Sequence, residues 1–127
     1  MSQTLITRLS KLDAPDREVD AEIDRAFGLL VDIYPLSGPM TDYPEPVGYT
    51  ETRHYTASVD AAIALAARVL PGWVFDNVGQ DFHSVPGGYE AFGWNVELIN
   101  GTRVQGQAPT LPLAICIALL RAKEASK

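Results

Sequence analysis

Residues 89–107 read YEAFGWNVELINGTRVQGQ, and the spacing of their apolar members decides the fold. Phe92, Trp94, Val96 and Leu98 recur at every second position, which puts them on one face of an extended strand over 89–99. Gly93 interrupts the run and is expected to mark a bulge. Asn100-Gly101 is a two-residue hairpin signal in which both central residues adopt positive backbone angles, so residues 102–107 are predicted to return as a neighbouring antiparallel strand.

Upstream of this hairpin, residues 73–78 (WVFDNV) form a further predicted strand, and residues 79–88 read as a glycine- and proline-containing connection. Before it lies an apolar helix over 58–70, capped by Thr56 or Ser58, with Ile63, Ala66, Ala67 and Leu70 facing inward and Pro71-Gly72 ending it. Downstream, Pro109 and Thr110 open a last helix over 111–122 that is apolar on nearly every side. Such a helix must be covered on more than one face, by the sheet and by either another helix or another subunit. Homo-oligomerisation through this C-terminal helix is therefore an expectation.

Two shorter helices lead the chain. Leu5, Ile6, Leu9 and Leu12 recur at helical spacing over about 4–11. A second helix has Pro15 in its first turn, Val19, Ile23, Ala26 and Phe27 as its buried face, and Gly28 as its stop. Asp16, Glu18, Asp20, Glu22 and Asp24 alternate along it and are expected to scatter over a solvated surface rather than converge on a metal. The fold class is α+β, an antiparallel sheet of at least three strands covered by helices as a layered sandwich. Its order is α-α-loop-α-β-β-β-α, in a single domain over 1–127. The predicted core is Ile63, Leu70, Trp73, Phe75, Trp94, Val96, Leu98, Ile115 and Leu119.

Composition narrows the function classes. At 127 residues, with 46% hydrophobic and 20% charged content, the chain can bury a core without disulfide or metal staples. Sixteen acidic against ten basic residues give a net charge of −6, a field that repels phosphate backbones, so nucleic acid is not an expected partner. The element order matches that of a double-stranded-RNA-binding domain, but no lysine cluster opens the last helix, whose first positive charge is Arg121. Cys116, the single cysteine, sits in an apolar run and reads as a buried hydrophobe. No run spans a bilayer and the first residues lack a secretory pattern, so a cytoplasmic protein without membrane attachment is expected.

No stretch reads as a catalytic or cofactor motif, and no cofactor is expected. The first place to look for a ligand is the Pro-, Gly- and Tyr-rich connection over 35–54, where Tyr43, Tyr49, Arg53, His54 and Tyr55 could line a pocket. An alternative is a small metal-dependent or acid–base enzyme using Asp76, Asp81 and His83, should the strands fold them together.

Four stretches carry a resemblance. Residues 15–23 (PDREVDAEI), 55–65 (YTASVDAAIAL), 71–73 (PGW) and 108–122 (APTLPLAICIALLRA) resemble small uncharacterised proteins of bacteriophages and prophages, and the chain looks like a relative of the phage α/β/α sandwich domain. The likeness covers both ends and the third helix. It implies a phage-encoded binding or interaction protein that modulates a host protein or sequesters a small metabolite or nucleotide, and it implies no catalytic residue.

Overall fold

Trp94, Val96 and Leu98 share one face of a strand, and the fold is assembled on that face. A computed structural model describes residues 2–29 and 53–126. Its elements are α1 (Ser2–Ser10), α2 (Arg17–Ala26), α3 (Val59–Val69), β1 (Val74–Val85), β2 (Gly88–Asn100), β3 (Thr102–Ala108) and α4 (Leu111–Ala125). The strands form an antiparallel sheet in the order β1-β2-β3, so the fold is α+β with helices packed on the sheet. Tyr34, Tyr43, Tyr49 and most of the connection over 35–54 lie outside the described residues.

Three local predictions change. β1 continues through Gly79 to Val85, and only Pro86-Gly87 forms the turn. The alternation of exposed and half-buried residues persists across Gly79, which a reading by breaker residues mistakes for a loop. The bulge falls beside Gly93: Asp81 pairs with Gly93 but Phe82 pairs with Ala91, leaving Phe92 as the extra residue of β2. That extra residue flips Phe92 off the face of Trp94, Val96 and Leu98, and it is exposed. At the second hairpin only Gly101 has positive φ, and Asn100 is still paired with Thr102.

Val96 and Leu98 are buried against α4, which lies over β2 and β3. On its other side α4 meets α1 and α3, and α2 packs on α1. Every residue from Leu113 to Leu120 is buried, each large aliphatic among them contributing roughly 1.5–3 kcal/mol. The cover that the apolarity of α4 demands is thus supplied within the chain. The surface through which homo-oligomerisation was expected is occupied by α1 and α3.

The described helices all stand on one face of the sheet. On the opposite face Asn95, Glu97, Arg103, Gln105 and Gln107 are polar, with Glu97 and Asn95 paired to Arg103 and Gln105 across the strands. The predicted core holds at Leu70, Val96, Leu98, Ile115 and Leu119, while Trp73, Phe75 and Trp94 are half-buried. Ile63 is a correction, at 44% exposure. α3 is turned so that Ala62, Leu65, Ala66 and Leu70 face inward, leaving Ala67 outside with Ile63. Among the described residues no helix is long and apolar enough to cross a membrane.

Candidate functional site

α2 sets the position of the site. Asp16, Asp20 and Asp24 are spaced by four and so lie along one stripe of the helix, whereas Glu18 and Glu22 point elsewhere. The stripe faces residues 53–58. Asp16 caps its own helix by accepting from the N–H groups of Glu18 and Val19 at 2.9 and 3.1 Å. The Thr56 hydroxyl accepts from the Asp16 N–H at 2.8 Å and donates to the Asp16 carbonyl at 3.2 Å. Asp20 accepts from the Thr56 N–H at 2.7 Å and from Arg17 at 2.9 Å, and Asp24 accepts from the Tyr55 hydroxyl at 2.6 Å.

These contacts correct the reading of the acidic run as solvated, since Asp20 is 1% and Asp24 7% exposed. Their desolvation is offset by hydrogen bonds to the segment they hold. Four-residue spacing inside the alternating run was the signal for it. Tyr55, a predicted ligand residue, has its hydroxyl committed to Asp24, so it acts as a strut. Burial, followed by Asp24 as acceptor, raises its pKa, while the charges of Arg53 and Arg68 work in the opposite direction.

Held in this way, residues 53–58 lead directly into α3. Ser58 caps that helix by accepting from the Ala61 N–H at 3.1 Å. Ala61, Ala64, Leu65 and Arg68, at i, i+3, i+4 and i+7, form one face of α3, and with Arg53, Tyr55, Ser58 and Asp60 they line a concavity of about 570 Å³. The methyl side chains of Ala61 and Ala64 leave the space. Arg53 and Arg68 are exposed, and among the described residues neither guanidinium has an ion-pair partner. Two cations and one carboxylate, Asp60, therefore border one concavity, with the N-terminal turn of α3 in its wall.

Of the predicted ligand residues, the structure brings Arg53 and Tyr55 together here. His54 is exposed and does not line the concavity, and Tyr43 and Tyr49 are outside the described residues. Sequence reasoning missed Ser58, Asp60 and Arg68; the i, i+3, i+4, i+7 face of α3 was the available sign. A second concavity, of about 540 Å³, lies between Phe27, Leu70, Trp73 and Lys123 at the far end of α3.

Asp76, Asp81 and His83 are not assembled into one site. Asp76 is the extra residue of a bulge in β1 and pairs with Arg103, whose pKa is raised by that hydrogen bond and charge. His83 Nε2 lies 3.2 Å from Glu90 Oε1, and its ring stacks on Phe92. His83 is seven steps along β1 from Asp76, about 23 Å at strand rise. Among the described residues no three metal-ligating side chains converge.

Cys116 is fully buried, its thiol donating toward the Tyr55 carbonyl at 3.5 Å. Burial, and then the charge of Asp20, pushes its pKa up, the opposite of what a reactive thiol needs. Compared with protein-family models, curated proteins and solved structures, the chain matches none.

Proposed function

We propose that this protein is a binding protein that holds a small anionic molecule, bearing a phosphate or carboxylate, between Arg53 and Arg68. The observation that carries the reading is a pair of guanidiniums without ion-pair partners among the described residues, on one concavity of a chain with net charge −6. With Arg53 and Arg68 against the single carboxylate of Asp60, the lining carries a net positive charge, opposite in sign to the whole chain. Arginine's planar fork suits phosphate and carboxylate oxygens, and the Ser58-capped turn of α3 favours negative charge at the same place. A small metabolite or a nucleotide fits this chemistry. The sequence resemblance to phage proteins supports a phage or prophage origin; the α/β/α order of that family sets helices on both sheet faces, whereas the described helices here occupy one.

Native mass spectrometry of protein taken directly from cells tests the reading first, since a retained ligand adds its mass. Thermal-shift titration with inorganic pyrophosphate, a nucleoside monophosphate and a dicarboxylate then separates phosphate from carboxylate. Charge-assisted hydrogen bonds of about 1.5–3 kcal/mol predict that Arg53→Ala and Arg68→Ala each weaken binding by roughly 10- to 100-fold, with little loss of stability because both side chains are exposed. Binding that survives the double replacement, or no response to any of the three anions, would sink the proposal.

A further inference from the structure

β1 pairs with β2 along one side, and among the described residues no strand pairs with its other side. Edge strands of monomers are commonly short, or blunted by lysine or proline. β1 is 12 residues long and contains no Lys, Arg or Pro. Together with β2 it runs past β3, whose pairing stops at Trp94 opposite Ala108. Val78 and Phe82 stand 47% and 60% exposed on its helix-side face, which α4, lying over β2 and β3, does not cover.

The sequence of this edge is self-complementary in one register. Between Asn77 and Val85 β1 itself is regular, because the shift at Asp81/Phe82 arises from the extra Phe92 in β2. An antiparallel copy whose two-fold axis passes through Phe82 sets Phe82 opposite the partner's Phe82 on the helix-side face. On the other face Asp81 then lies opposite the partner's His83, and His83, whose Nε2 already faces Glu90 of its own chain, lies opposite the partner's Asp81, giving two identical groupings of one imidazole between two acids. Gln80 meets the partner's Ser84, an amide facing a hydroxyl. Moving the axis to Gln80 loses both pairs and makes the two Asp81 carboxylates diagonal neighbours. Phe82 is also held for this role by an edge-to-face contact with Tyr89, ring centroids 5.3 Å apart.

We propose that β1 pairs with β1 of a second copy about an axis through Phe82, joining two three-stranded sheets into one continuous sheet. The backbone groups of the free edge supply the attraction, and the Asp81–His83 pairs select the register. Because α4 is set back over β2 and β3, the two helical layers flank the new seam.

Sedimentation equilibrium at protomer concentrations up to about 100 µM tests this. The expected species is a dimer with twice the 13.8 kDa chain mass. Phe82→Lys, which puts a charge on the seam, should give a monomer. His83→Asp and Asp81→His, which set like groups opposite each other, should each raise the dimer Kd on the order of tenfold or more, and the double exchange should recover most of that loss, the remainder reflecting the carboxylate now beside Glu90 of the same chain. A monomer throughout the range overturns the proposal, as does a dimer indifferent to Phe82→Lys or a double exchange that fails to rescue. All three side chains are at least partly exposed; circular dichroism verifies folding, and should Phe82→Lys unfold, the exchange series decides alone.

Discussion

Gly106 is the residue with least freedom. A Cβ built there would lie 2.2 Å from the Ala114 carbonyl oxygen and 2.6 Å from the Ala118 nitrogen, both backbone atoms of α4 that cannot swing aside. The absence of a side chain lets β3 and α4 approach closely, which seals the sheet to the helix. Gly106→Ala is therefore expected to cost about 3 kcal/mol or more, read as a lower midpoint in urea at unchanged slope. Tyr55→Phe is a different case. It removes the hydroxyl that donates to Asp24 and leaves a buried carboxylate oxygen without that partner, so a loss of about 1–3 kcal/mol is expected by the same measurement. The sequence named neither partner. A glycine in a strand signals close approach without naming the neighbour, and Asp24 was indistinguishable from its exposed neighbours except by spacing.

Among the elements, α2 and α3 show how far periodicity reaches. The stop of α2 was legible at Gly28, where φ is 71° and the N–H groups of Gly28 and Leu29 donate to the Arg25 and Asp24 carbonyls at 3.0 and 2.8 Å. The existence and ends of α3 were also legible, yet its rotation was not. VDAAIALAARV is apolar over so wide an arc that several orientations satisfy the pattern, and the packing partners α4 and residues 53–58 select one. Ile63→Lys should accordingly stay within about 0.5 kcal/mol of the parent, whereas Leu65→Ala should lose about 2–4 kcal/mol. Comparable losses for the two would contradict the assigned rotation. In the hairpin a single extra residue, Phe92, reversed the face of one aromatic, because a period of two has no tolerance for an insertion.

For the whole molecule, the buried Tyr55 phenol and Cys116 thiol make stability depend on alkaline pH. Cys116 and Tyr55 are neutral when protonated, and burial raises both above their ordinary values of 9.0 and 10.0. The unfolded chain can release these protons from about pH 9 upward while the folded chain retains them. Stability is thus complete below that pH and falls above it, by up to about 1.4 kcal/mol per pH unit for each group. Urea unfolding of Cys116→Ala between pH 9 and 10 should show a shallower decline than the parent. Native Cys116 should also resist thiol reagents at neutral pH until the fold is opened by denaturant.

The sequence by itself determined the element types, their order and the α+β class, since these follow from local periods, caps and turn residues that act within a few positions. It also determined that α4 must be enclosed. What enclosed α4, which aspartates turned inward, where α3 pointed, and that Arg53 and Arg68 meet across one hollow were decided only by tertiary structure. Each depends on contacts between residues far apart in the chain, such as Asp24 with Tyr55 or β3 with α4, and a local pattern holds no information about what stands on its other side.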